Sequence, residues 1–173
     1  MRRRTRRVSA TGRRQASLLA ARLDRTRADA ILHGPRRRAR QTAEILGHSL
    51  DSPVQLTSLL DDRTPHPSPE RLGEYPPHRR NFLDETPVEE RDIDGDGIAV
   101  AWRQLTEMSS DQVIIAVTHA FVIGSFVSHA LGAPADAWLK LPIANASITE
   151  LQPRPAGEWA VASVSDTGHL TGL

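Results

Sequence analysis

The sequence predicts an α/β fold, a three-layer sandwich built on a mostly parallel sheet. Three observations carry that expectation. Short apolar runs alternate with amphipathic helical segments along most of the chain, the order that sets helices on both faces of a parallel sheet. The run Val113-Ile-Ile-Ala-Val117 is continuous and β-branched, which suits a strand buried on both faces. The length, 173 residues and 19.0 kDa, suffices for one domain with a sizeable core and is short for two, so a single domain over 1–173 is expected.

The elements follow in order. An amphipathic helix is expected over 13–23, where Leu18, Leu19 and Leu23 fall at helical spacing after Thr11 and Gly12. Residues 28–32 form a short apolar strand. After Pro35, the run 38–46 is rich in helix formers and Gly47 offers a stop. Residues 54–60 read as another strand. From 61 to 96, Pro65, Pro67, Pro69, Pro76, Pro77 and Pro87 interrupt every pattern, so an irregular insert or lid without a helix is expected. A helix resumes over 98–108 with Asp96 as N-cap, the strand 113–117 follows, and a helix over 121–131 closes at Gly132 and Pro134. Segments 147–151 and 159–164 flank a Pro/Gly turn and read as a hairpin.

Composition narrows the chemistry. There are no cysteines, which excludes disulfide scaffolds, thiolate zinc sites, iron–sulfur clusters and cysteine nucleophiles. The formal charge of +1 conceals a gradient: residues 1–40 hold fourteen of the 22 basic residues against Asp24 and Asp29 alone. Lys140 is the only lysine, and arginine forks suit phosphate, nucleic acid or an anionic surface. The start, Met1-Arg-Arg-Arg-Thr-Arg-Arg-Val8, has no apolar stretch and so is no secretory signal; it resembles an organelle transit peptide only weakly, and a cytoplasmic location is expected. The stretch 113–135 lacks acidic and basic residues other than His119 and His129, but its Thr118, Ser125, Ser128 and Gly132 fit a strand and helix better than a membrane span. No membrane partner is expected.

In parallel sheets, ligands gather at the carboxyl ends of strands, where helices also begin. Two junctions here carry polar chemistry. The strand 28–32 runs into His33-Gly-Pro-Arg-Arg-Arg-Ala-Arg-Gln-Thr42, and the strand 113–117 ends in Thr118-His119-Ala120. An imidazole and a guanidinium on one sheet edge, beside free backbone amides, can hold a phosphoryl group. The bland alternatives are a solvated arginine face and a structural histidine.

Taken together, Thr11-Gly-Arg-Arg-Gln-Ala16, the segment 29–43 around Arg38-Ala-Arg-Gln-Thr42, and Val117-Thr-His-Ala-Phe-Val-Ile123 resemble the histidine phosphatase superfamily, which includes the phosphoglycerate mutases. The resemblance covers nearly the whole chain and implies a phosphoglycerate mutase-like fold. Leu59-Leu-Asp-Asp-Arg-Thr-Pro65, Ala144-Asn-Ala-Ser-Ile-Thr149 and Asp166-Thr-Gly168 are similar to the branch that contains the mitochondrial phosphoglycerate-mutase-like Ser/Thr protein phosphatase. The resemblance implies catalytic roles for Arg38, His119 and Asp62. Arg38 would grip phosphoryl oxygens, His119 would stabilise the transferring group, and Asp62, with Asp61 as its rival, would donate the proton to the leaving alcohol. Substrate would be bound by Arg38, His119 and Ala120. No metal and no organic cofactor are implied.

The family's nucleophile is a histidine in an Arg-His motif that ends a first strand upstream of the Thr11-Gly12 segment. The dipeptide Arg-His occurs nowhere in this chain, so the first strand is expected to be missing and the chain as given to be truncated and inactive. His33-Gly34 is a rival, but the register set by Arg38 onward places it where relatives carry a small pair of residues. The expected function is a phosphomonoester hydrolase working through a phosphohistidine intermediate on a phosphorylated small molecule or a phosphoprotein. The alternative is a phospholigand-binding protein without turnover; a nucleic-acid binder is a third reading, disfavoured by the scarcity of aromatics. Asp92-Ile-Asp-Gly-Asp-Gly97 imitates a calcium loop, but Arg103 stands where its glutamate ligand is needed. His66, His78, His129 and His169 show no metal-ligand spacing, and Trp102, Trp138 and Trp159 read as packing anchors.

Overall fold

A computed structural model describes residues 7–109 and 111–173. The Arg-rich opening, apart from Arg7 and Val8, lies outside the described residues. Helix α1 (Ala10–Arg22) leads to strand β1 (Ala30–His33), helix α2 (Arg37–Leu50) and strand β2 (Val54–Leu56). An insert carrying β3 (Thr64–His66), α3 (Pro77–Asp84) and β4 (Arg91–Ile93) precedes α4 (Asp96–Met108), β5 (Ile114–Val117) and α5 (Ala120–Ala130). A hairpin of β6 (Ile148–Pro153) and β7 (Trp159–Asp166) ends the chain.

Strands β2, β1 and β5 form a parallel sheet in that order, and His33 pairs with both Leu56 and Val117, so all three strands end along one edge. The alternation of strand side chains decides the layers. Ala30 and Leu32 of β1 face a core made with Ile98, Ala101 and Leu105 of α4 and Val122 and Phe126 of α5. Ile31, on the opposite face, packs with Leu19 and Ala20 of α1 and Ala43 and Leu46 of α2. Three layers result, as expected.

Strand β5 departs from expectation. It is half-buried rather than enclosed, with Ala116 exposed and Val113 just before it 49% exposed. The reason is position: β1 holds the centre and β5 is an edge. Across from that edge, Leu151 of β6 packs against the α4–α5 core and Ile148 against the α1–α2 core, yet among the described residues β6 pairs only with β7. Among the described residues, β5 and β6 thus share both cores with no ladder between them.

Four further differences have local causes. Helix α2 runs past Gly47 to Leu50 and stops at Asp51, which adopts a left-handed conformation at φ 49°; a Cβ on Gly47 would strike the Val54 side chain, so this glycine serves close packing. The strand expected over 54–60 shortens to three residues followed by a 3-10 turn, Ser58–Leu60. The insert is not wholly irregular, because Pro77 occupies the opening of α3, where a missing N–H costs nothing. It is docked by Tyr75, Leu83 and Trp138, with Phe121 edge-on to Trp138 at 5.1 Å. Helix α4 begins at Asp96 with Gly95 before it, and its cap is Asp92, whose carboxylate accepts from the amides of Gly97 at 2.9 Å and Ile98 at 2.8 Å. No helix among the described residues is long and apolar enough to cross a membrane.

Candidate active site

The shared carboxyl edge of β1 and β5 positions the two arms of the site. At β1, the chain turns through Gly34 against the Leu60 carbonyl, too close for any side chain, and enters α2 with Arg38 in its first turn. At β5, the Thr118 hydroxyl donates to the same Leu60 carbonyl at 3.0 Å and His119 becomes the N-cap residue of α5. Ala120 is the first residue of α5, so its N–H is one of the amides a helix start leaves without an intrahelical partner.

These arms converge. Nη2 of Arg38 lies 3.2 Å from Nδ1 of His119 and also donates to Oδ2 of Asp62. Asp62 Oδ1 stands 3.8 Å from the same ring nitrogen. A guanidinium only donates, so Nδ1 accepts and the proton of a neutral ring sits on Nε2. His119 is buried, at 9% exposure, and its Nε2 has no hydrogen-bond partner among the described residues. Burial pushes the imidazole down to about 4, with the Arg38 charge acting the same way and Asp62 and Asp61 opposing it. At neutral pH the ring is therefore an uncharged donor beside a permanent cation.

Asp61, the rival acid, does not join this group. It faces Arg36, with Nε to Oδ1 at 3.3 Å, and its Oδ1 accepts the Asp62 amide at 2.7 Å. Arg36 also approaches Glu90 of the insert, at 3.8 Å. Sequence reasoning missed this second arginine; the available signal was its place two residues before Arg38, as Asp61 stands just before Asp62. His33 ends β1 but directs Nδ1 to the Gly34 carbonyl at 2.8 Å. Asp92 and Asp94 of the calcium-loop imitation accept from backbone amides at 97, 98 and 68. No cluster of three or more histidine or acidic side chains among the described residues could hold a metal.

The model of the histidine phosphatase superfamily (branch 1) matches residues 5–167. The mitochondrial serine/threonine-protein phosphatase Pgam5 of Caenorhabditis briggsae is 32% identical over 166 residues, 92% of this chain and 56% of the relative. Pgam5 of Drosophila mojavensis is 32% identical over 141 residues, 77% of this chain and 46% of that one. The chain spans about half the length of these curated relatives. Among solved structures, a phosphoserine phosphatase mutant from Entamoeba histolytica superposes with a TM-score of 0.73 at 21% identity, covering 95% of this chain and 86% of that one, which shows a shared fold. The relatives' names are mitochondrial, and this overturns the cytoplasmic location expected from the sequence. With the match extending over nearly the whole chain, from before α1 to beyond β7, the protein belongs to the histidine phosphatase superfamily.

Proposed function

We propose that this chain supplies the phosphoryl-binding half of a phosphomonoester hydrolase that works through a phosphohistidine intermediate. The observation that supports it is the convergence of Arg38 and His119, one a fixed cation and the other a buried, unpartnered Nε2–H donor. Together with the amide of Ala120 they can bind the equatorial oxygens of a phosphoryl group in transit. On substrate entry the phosphoryl dianion replaces the Asp62 carboxylate on Arg38. Asp62, released beside a dianion, then takes up a proton and becomes the acid. The attacking imidazole nitrogen bonds to phosphorus, the ester P–O bond breaks, and Asp62 protonates the departing oxygen. Water, deprotonated by Asp62, next cleaves the N–P bond and releases phosphate. Substrates would be phosphoproteins or small phosphorylated metabolites.

The attacking imidazole is the part this reading must supply from elsewhere. A strand laid between β5 and β6, whose facing edges carry no ladder among the described residues, would, if parallel to β5, end on the edge that holds His119 and could carry it. A second reading, a phospholigand binder without turnover, is favoured by one observation: among the described residues no other histidine ring is hydrogen-bonded to Arg38 or His119. Exposure to a 32P-labelled aryl phosphate, of the protein joined to a strand that carries such an imidazole, separates the two. The hydrolase reading expects released phosphate and a protein-bound label that is lost in acid and kept in alkali. Saturable binding with neither would leave the binder.

A further inference from the structure

Arg36 is a cation that its neighbours approach without hydrogen-bonding. Its Nε lies 3.3 Å from Asp61 and its Nη2 lies 3.8 Å from Glu90, while Nε is buried with no hydrogen-bond partner among the described residues. The facing Asp61 oxygen already accepts the Asp62 amide. With its side chain 28% exposed, the guanidinium has surrendered much of its hydration and kept most of its five donors unspent. A buried donor left in that condition, as Nε is, calls for a partner.

Its place relative to the phosphoryl pocket suggests which partner. Arg36 pairs with Asp61 and Arg38 with Asp62, so two arginine–carboxylate contacts lie side by side where the insert leaves the sheet. If a phosphoryl group displaces Asp62 from Arg38, a second anion on the same molecule can displace Asp61 and Glu90 from Arg36, offering two oxygens to the Nε–H and Nη–H fork. We propose that Arg36 is a second anion subsite, and that the preferred phosphomonoesters carry a further anionic group a few bonds from phosphorus. This rests on the phosphoryl-binding reading of Arg38 and His119 and adds a substrate class to it. An acidic group next to the phosphoester, whether a carboxylate or a second phosphate, meets the requirement.

Non-hydrolysable phosphonates test it without any need for turnover. Phosphonoacetate, 3-phosphonopropionate and 4-phosphonobutyrate are titrated calorimetrically, each against its own neutral amide, at one fixed ionic strength. At one or more of the three lengths the acid should bind about tenfold tighter than its amide, the scale of one charge-assisted contact. That ratio should fall towards one in Arg36→Gln and shrink in Arg36→Lys, which keeps the charge and loses the fork; the second variant serves if the first does not fold. A ratio below about twofold at every length, or one that survives loss of the Arg36 fork, overturns the subsite while leaving the phosphoryl pocket intact. Amides that fail to bind, or that bind Arg38→Ala undiminished, overturn both.

Discussion

His119 carries the sharpest consequence at the scale of single residues, because its environment makes its protonation a folding event. The unfolded ring takes a proton as pH falls through its ordinary value of 6.5, whereas the folded ring stays neutral down to about 4. The unfolded state thus binds more protons throughout that window, and stability present above pH 6.5 is lost progressively as pH falls to 4. Urea unfolding of the wild type should weaken more steeply over this range than that of His119→Asn. Parallel curves would show that the ring is not held neutral. The convergence of Arg38 and His119 was legible in the sequence because each sits where a strand gives way to a helix, a junction that local pattern reveals. The Arg36–Asp61–Glu90 contacts were not, since they depend on how the insert folds back over a sheet edge, and no local periodicity encodes that path.

At the scale of elements, β1 followed from its short apolar run, the terminal hairpin from two strand-like segments around a Pro/Gly turn, and the helices from their spacing and composition. Enclosure did not. The run 114–117 is apolar enough for a central strand, but its rank in the sheet is set by which partners flank it, and among the described residues β1 has two while β5 has one. Helix α3 was hidden because proline is damaging inside a helix and harmless at its first turn, a distinction that a count of prolines cannot make. The cap of α4 is a comparable case. Asp92 lies four residues before the first helical residue, is 6% exposed, and accepts two backbone amides. Asp92→Ala should cost about 1–2 kcal/mol of unfolding free energy, with faster amide exchange confined first to the opening turn of α4. A loss below about 0.5 kcal/mol would mean that the cap is dispensable.

Across the whole molecule, charge that is segregated in sequence is paired in space. The basic first forty residues meet the acidic remainder through Arg22–Asp166, Arg36–Asp61 and Arg38–Asp62. Of these, Arg36 and Arg38 are thereby drawn to the pocket rather than left on an open cationic face of the kind that nucleic acid would favour. The same three-dimensional view explains why the hairpin sits against both cores while standing apart from the sheet: apolar packing holds it from above and below, and backbone pairing does not. Oxyanion capture by Arg38 and His119 is most directly tested by titrating inorganic phosphate into 15N-labelled protein and following the His119 Nε2 resonance. A saturable shift of that nitrogen, abolished in Arg38→Ala, is the expected result. Phosphate binding that leaves the His119 ring unmoved, or that persists undiminished without Arg38, would contradict it.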